Sequence, residues 1–145
     1  MRLRFLPLAL LLPVAATAQP IDRSPAAARA VVQRYYAAID RGDYAVAYRL
    51  WDRGGQASGQ SLAGFTRGFA RTRRTCVRTG APTDGDGAAV SVFVTIPVRV
   101  DAVLKNGARQ HFAGSYVLRR VNDVDGATPQ QLRWHLASAT LKPVR

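Results

Sequence analysis

The stretch Val31–Trp51, VVQRYYAAIDRGDYAVAYRLW, reads as a helix, a one-step stop and a second helix. Val32, Tyr35 and Ile39 recur at i, i+3 and i+7, while Arg29, Gln33 and Arg34 lie off that stripe, so one side of the first helix is apolar. Ser24 then Pro25 opens it: a hydroxyl can cap the free N–H groups, and proline at the first helical position forfeits nothing. Gly42 ends it, because glycine enters the left-handed cap without a Cβ clash. Asp43 is placed to cap the next helix, in which Tyr44, Ala47, Tyr48 and Trp51 repeat the apolar spacing.

Beyond Trp51 the chain breaks at the glycine-rich run Gly54–Gly59 and restarts at Ser61. Leu62, Phe65 and Phe69 form the apolar stripe expected of a third helix, weakened at Gly64 and Gly68 by about 1 kcal/mol each relative to alanine. Arg67, Arg71 and Arg74 fall at i, i+4 and i+7, which places a basic stripe near its C-terminus, joined by Arg73 and Arg78. From Thr75 the period changes to alternation. Val90, Val92, Val94, Ile96, Val98 and Val100 occupy one face of a long strand, and Pro97 marks an edge or a bulge in it.

Asn106-Gly107 signals a hairpin. A two-residue loop would set Ile96 against Val117. A three-residue loop, Lys105-Asn106-Gly107, sets Val100 against Phe112, Ile96 against Tyr116 and Val94 against Leu118. Only the second gathers the large apolar groups on one face, and a slip of one residue would undo it. A last strand, about Gln131–Lys142, offers Leu132, Trp134 and Leu136 to that same face. The expected fold is α+β: three N-terminal helices packed on a curved antiparallel sheet of about four strands.

Arg2 and Arg4, an apolar run over Phe5–Val14 and the small-x-small triplet Ala16-Thr17-Ala18 have the form of a signal peptide over residues 1–18. The run is about ten residues, against the roughly 20 that span a bilayer. Cleavage before Gln19 would leave a flexible lead-in, 19–24, and one domain, 25–145, delivered to the periplasm or secreted. No cysteine follows the cleavage site to take a lipid anchor. The single cysteine, Cys76, excludes an intrachain disulfide and reads as a small buried hydrophobe.

The formal charge of +12 falls to +10 once Arg2 and Arg4 are gone. All acids are aspartate, and only Lys105 and Lys142 among the bases are not arginine. Such a balance arises from composition alone or from attraction to an anionic partner.

Three helices followed by a long-stranded sheet, with Tyr35-Tyr36-Ala37-Ala38-Ile39-Asp40-Arg41-Gly42-Asp43-Tyr44 at the first helix end and Trp134-His135-Leu136 near the close, resembles the nuclear transport factor 2-like superfamily, also called SnoaL-like or cystatin-like cone folds. The resemblance runs from about Pro25 to Val144. It implies a cone with a pocket, and a use that ranges from isomerases, cyclases and dehydratases to binding and assembly modules. Isomerase-like members use a first-helix tyrosine, a place that Tyr35 or Tyr36 would fill, together with buried carboxylic acids. No aspartate here has a core-facing sheet position: Asp101 shares the parity of Phe93, and Asp123 and Asp125 are loop-like.

No catalytic set emerges. His111 and His135 share one sheet face, some four residues apart in level (about 13 Å), too far for one metal and ordinary as surface or interface groups. Asp84-Gly85-Asp86-Gly87 and Asp123-Val124-Asp125-Gly126 are turn formers, since a calcium loop needs an acidic closer that this glutamate-free chain lacks. There is no nucleophile elbow, zinc-protease helix or phosphate loop.

The binding candidates are Tyr35, Trp51, Tyr116 and Trp134 as pocket lining, with Tyr48 and Phe65 as outer wall. Arg67, Arg71, Arg73, Arg74 and Arg78 are anion or partner candidates. The reading is an exported, non-catalytic domain with no metal or other cofactor. It binds a small amphipathic molecule or an envelope protein, with a homodimer through the outer sheet face as an option. An isomerase, cyclase or hydratase using a tyrosine and an aspartate is the first rival. An assembly module docking an acidic partner on the arginines is the second. Nucleic acid is disfavoured because the aromatics are committed to core stripes.

Overall fold

A computed structural model of the chain describes residues 17–85 and 87–145. The expected signal segment, apart from Thr17 and Ala18, lies outside the described residues, as does Asp86 of the Asp84–Gly87 stretch. Three helices, α1 (Pro25–Asp40), α2 (Tyr44–Arg49) and α3 (Leu62–Gly68), precede strands β1 (Thr72–Thr79), β2 (Thr83–Asp84), β3 (Ser91–Leu104), β4 (Arg109–Val121) and β5 (His135–Pro143). A 3₁₀ segment, Arg53–Ser58, joins α2 to α3.

The helix ends follow the expected chemistry. Ser24 Oγ accepts the N–H of Ala27 at 3.2 Å, Pro25 opens α1, and Gly42 sits at φ +77° after it. Ser61 Oγ accepts the N–H of Gly64 at 3.1 Å and starts α3. Asp43 precedes α2 but makes no cap with its side chain, which takes the Arg41 guanidinium instead at 3.1 Å. In the glycine-rich run, Gly55 at φ +109° lies under Tyr48, and a Cβ there would meet the Tyr48 ring. The chain thereby turns tightly enough to bring Trp51 and Asp52 back onto the start of β5, where Asp52 N–H donates to the Leu136 carbonyl and Leu136 N–H to that of Leu50.

The sheet is antiparallel, in the order β1-β3-β4-β5, with β2 adding a fifth, two-residue strand beside β3. The β3–β4 register is the three-residue-loop register: Val100 faces Phe112, Ile96 faces Tyr116 and Val94 faces Leu118, with Gly107 at φ +87°. Val94, Ile96, Val98, Val100 and Ala102 are therefore buried on the inner face, with Tyr116 and Leu118 beside them. Leu136 of β5 pairs with Leu118 and completes the row. Against it α1 lays Val31, Val32, Tyr35, Tyr36 and Ile39, which make one continuous core with Val94, Ile96, Val98, Val100, Tyr116, Leu118 and Leu136. Pro97 lies within β3 where β1 ends and β2 has not begun, so its missing N–H faces a gap in the pairing, and its carbonyl accepts the Gly80 N–H at 2.8 Å.

Several expectations are corrected. Val90 precedes β3 and is exposed, while Val92 is half-buried against the core. Leu62 is exposed, leaving Phe65 as the buried side chain of α3 and Phe69 half-buried beside it. The helix stops at Gly68, so the basic stripe does not form: Arg71 lies in the following turn, and Arg73, Arg74 and Arg78 belong to β1. Threonine and valine at 72, 75, 77 and 79 favour the strand and turn Thr75 and Val77 inward. Cys76 then projects outward from an edge strand and is exposed rather than buried. The last strand starts at His135, later than Gln131, because Thr128–Gln131 is held in turns by hydrogen bonds between Thr128 and Gln131.

Gly114 shows how tightly β5 closes on β4, since a Cβ there would collide with the Thr140 carbonyl oxygen. Backbone on both sides cannot yield cheaply. Gly114→Ala is expected to lower stability by about 1–3 kcal/mol, the range for overpacking. A urea denaturation midpoint equal to that of the parent chain would contradict this pairing.

Candidate functional site

The first helix supplies two neighbouring tyrosines because its buried face is wide. Tyr35 and Tyr36 are 4% and 5% exposed, and both point to the inner face of the sheet, where Tyr116 is 2% exposed. The Tyr36 and Tyr116 hydroxyls stand 2.7 Å apart, a full hydrogen bond in which one donates to the other. The Tyr35 ring meets Tyr116 at 5.8 Å between centroids, Trp51 at 6.1 Å and Phe65 at 6.2 Å. Tyr48 closes on Phe65 at 5.6 Å, and Phe65 on Phe69 at 5.1 Å.

Beside the tyrosine pair is a cavity of about 340 Å³. Its floor is Tyr35, Tyr36 and Tyr116; its walls are mostly apolar, with Val100, Ala102, Phe112 and Leu141 from the sheet and Phe69 from the end of α3. Thr72, Thr75 and Gln110 form a polar rim. The volume lies in the range of small-molecule sites, roughly 300–1,000 Å³. Thr75 is pinned to α1: its N–H donates to Asp40 Oδ1 at 2.7 Å and its hydroxyl to the Tyr36 carbonyl at 3.3 Å.

Burial keeps these phenols protonated. It pushes Tyr36 up to about 12, with the bond to Tyr116 opposing the rise. It raises Tyr35 and Tyr116 further, with Tyr36 adding to the rise of Tyr35 and both Tyr36 and Tyr35 to that of Tyr116. At neutral pH the floor of the cavity therefore donates hydrogen bonds and carries no charge. Trp51 Nε1 has no partner at hydrogen-bonding geometry, although its nearness to Tyr35, with that of Tyr116, offsets part of the Tyr35 rise.

The six expected pocket residues are divided by the structure. Tyr35 and Tyr116 line the cavity. Trp51 and Phe65 line a second hollow of about 370 Å³ on the other side of Tyr35 and Phe69, and Tyr48 stands behind Phe65. Trp134 belongs to the core but faces neither space: it packs under Arg120, 5.3 Å from its ring centre, and lines a hollow with Pro20, Ile21 and Arg34. Tyr36, Phe69, Phe112 and Leu141 were not among the expected lining residues. Phe112 and Leu141 were open to detection from the pairing that already put Phe112 opposite Val100, extended one strand further.

The anion candidates do not converge either. Arg74 approaches Asp40 at 3.5 Å and Arg78 pairs with Asp101 at 3.1 Å, while Arg67 and Arg71 lie at the end of α3 and in the next turn.

The histidines are farther apart than expected. His111 pairs with Asp101 and His135 with Arg119, eight positions along β4, or about 26 Å at 3.3 Å per residue. The late start of β5 causes the shift. His135 is also buried rather than superficial, at 8% exposure. Its Nδ1 faces the Arg133 carbonyl at 3.0 Å and so carries the proton, leaving Nε2 to accept from the Gln130 amide at 2.8 Å. Alongside, Arg119 donates to Asp52 at 2.9 Å and to the Ser91 hydroxyl at 3.0 Å. This polar cluster fastens the turn after α2 to the sheet. Among the described residues no group of three His, Cys or Asp side chains could hold a metal ion, and no helix is long and apolar enough to cross a membrane.

No family model matches the sequence, and no curated protein matches it. Two solved structures, both from Novosphingobium aromaticivorans, are similar to it. One, provisionally assigned as an aromatic ring hydroxylase, is 15% identical with a TM-score of 0.59, over 83% of this chain and 89% of its own. The other, provisionally assigned as a scytalone dehydratase, is 12% identical with a TM-score of 0.55, over 83% of each chain. The chain has the nuclear transport factor 2-like cone fold. In that fold the Tyr36–Tyr116 pair sits on the helix-facing side of the sheet, inside the cone, whereas the His135 cluster sits on the other side.

His135 gives this outer cluster a pH dependence. Desolvation lowers its pKa below the ordinary 6.5, with the Asp52 charge opposing. Below about 6.5 the unfolded chain thus binds a proton that the folded chain resists, and stability falls as the pH drops through that window; above it His135 contributes no slope. Asp101 titrates lower, its pKa depressed by the hydrogen bond from His111. Between pH 7.5 and 5.5 the urea midpoint is expected to fall more in the parent chain than in His135→Gln. Equal slopes would refute the buried neutral state.

Proposed function

We propose that the chain is an exported, non-catalytic binding protein that holds a small amphipathic molecule in the cone cavity. The observation that carries the reading is the phenol pair Tyr36–Tyr116 at the floor of an otherwise apolar space. One hydroxyl hydrogen is spent between the two oxygens, so the other remains free to donate. A ligand with a ring or short branched body would lie among Phe69, Val100, Phe112 and Leu141 and present an acceptor oxygen, such as a carbonyl or ether, to that hydrogen. Neutral phenols donate but do not abstract protons at neutral pH, and no carboxylate or histidine lines this cavity among the described residues. This arrangement supports binding over turnover. The 1–18 leader, the 19–24 lead-in and the periplasmic or secreted destination belong to the same proposal.

A second reading, an isomerase, cyclase or hydratase of SnoaL-like type, draws on one feature: Asp40 stands behind the cavity wall, where it holds the backbone of Thr75. Its Oδ1 already accepts the Thr75 N–H at 2.7 Å and faces the Arg74 guanidinium at 3.5 Å, so a substrate would compete with both for it.

Titration with a small aromatic ketone and with its hydrocarbon analogue, followed by calorimetry, tests the first reading. Tyr36→Phe with Tyr116→Phe is expected to weaken the ketone by about 2–13-fold, one neutral hydrogen bond at roughly 0.5–1.5 kcal/mol, and to leave the hydrocarbon unchanged. Equal loss for both ligands, or ketone turnover that disappears in Asp40→Asn, would overturn it. For export, the expected result is a processed protein whose first residue, by mass spectrometry of the envelope fraction, is Gln19.

A further inference from the structure

The outer face of the sheet has a charge pattern that the cavity does not use. Paired positions across an antiparallel sheet project from one face, so the register defines rows running across all four long strands. One such row is Arg78 on β1, Arg99 on β3, Ala113 on β4 and Lys142 on β5. The next but one toward the hairpin is Arg74, Val103 and Arg109. Between them lies Cys76, Asp101 and His111.

Arg78 and Arg99 are direct cross-strand partners of like charge, an arrangement that costs stability unless something else compensates. Asp101 is the single acid of these rows, and it is shared: Arg78 reaches one oxygen at 3.1 Å and His111 the other at 2.6 Å. Arg99, Arg109 and Lys142 make no ion pair among the described residues, and all three are exposed. Beside the first row the sheet is almost bare. Gly80, Pro97, Ala113 and Gly114 floor a shallow hollow of about 640 Å³ whose charged side is Arg78 and Arg99.

We propose that this face is a docking surface for an anionic lipid bilayer, with Arg78, Arg99, Arg109 and Lys142 as the cations that meet its phosphates. The row of four strands is about 14 Å across at 4.8 Å per strand, and the cations on it project from one side of a continuous sheet. A layer of headgroups needs only charge at that spacing. Other anionic partners need more than this face supplies. Single-stranded nucleic acid needs aromatic platforms, and no aromatic side chain other than His111 stands in these rows. An acidic protein needs apolar or aromatic anchors, and the floor here is glycine, proline and alanine. A second copy of the chain would bring its own arginine row against this one.

The test is partitioning of the full chain onto vesicles of phosphatidylcholine with and without about a third of phosphatidylglycerol, at low and high salt. The readout is the ratio between the two lipids, which cancels any charge-independent binding by the N-terminal segment. The expected result is preferential binding to phosphatidylglycerol that weakens as salt rises. Arg78→Gln, Arg99→Gln and Lys142→Gln together should reduce that preference by about 100-fold, near fivefold per cation. Arg34→Gln with Arg49→Gln, two exposed cations of the helical layer, should change it no more than a few-fold. Thermal melting checks that both variants fold; if the triple variant does not, Arg109→Gln alone must still lower the ratio.

An equal loss per charge in the two sets of variants would show that net charge, not this face, directs binding and would overturn the proposal. So would unchanged binding in the triple variant. Polyphosphate or an acidic peptide binding the chain through the same residues, with no preference for phosphatidylglycerol vesicles, would assign the face to a soluble polyanion and overturn it as well.

Discussion

The turn at Lys105-Asn106-Gly107 sets the pairing of β3 with β4, and every inward side chain of the sheet inherits its direction from that pairing. A side-chain period of two leaves no tolerance: one residue of slip would send Val94, Ile96, Val98 and Val100 into solvent and bring Arg99 and Asp101 against α1. Gly107 at φ +87° makes the register cheap to adopt, and Asn106 reinforces it by accepting the Ala108 N–H at 3.0 Å. The same parity that buries the valines also places Tyr116 under Tyr36. Cavity and core are therefore consequences of one constraint, and neither can be moved without the other.

Three phenols at the foot of a mostly apolar space are an unusual floor. A buried hydroxyl without a partner is costly, and the Tyr36–Tyr116 bond satisfies only part of the capacity of the two groups. An aliphatic core would hold the helices on the sheet equally well and demand no partners. The proposed binding reading gives the tyrosines a use that packing alone does not: a space that takes up a polar atom. Burial also fixes their protonation, so on that proposed reading the cavity would discriminate by shape and by hydrogen-bond acceptance rather than by charge. The positive charge of the chain plays no part inside it.

Much of this was open to a reader of the sequence, because alternation and helical spacing are geometric signals. The caps at Ser24 and Ser61, the end at Gly42 and the whole β3–β4 register follow from them. What escaped depends on distances that no period encodes. The Arg67, Arg71, Arg74 spacing fits a helix perfectly well, but Gly68 ends the helix first and Thr72 begins a strand, so local spacing was overruled by strand pairing with β3. His135 was misplaced because the length of the loop after Asn122 decides the β4–β5 register, and the turns within Thr128–Gln131 lengthen it. Trp134, one residue before β5, therefore turns toward Arg120 and the lead-in instead of toward Tyr35.

The polar cluster on the far side of the sheet ties the turn after α2 to the strands, whereas α3 reaches the core mainly through Phe65. Asp52, at the end of the α2 turn, is tied twice: its backbone N–H to Leu136 on β5 and its carboxylate to Arg119 on β4. Gly55 permits that return by letting Tyr48 lie against the backbone. Trp51 is thereby carried between sheet and helix, where it supports Tyr35 from behind. The tyrosine floor is held in place from outside the cavity by an ion pair only partly exposed to water, so it is braced by residues that no ligand in the cone would touch.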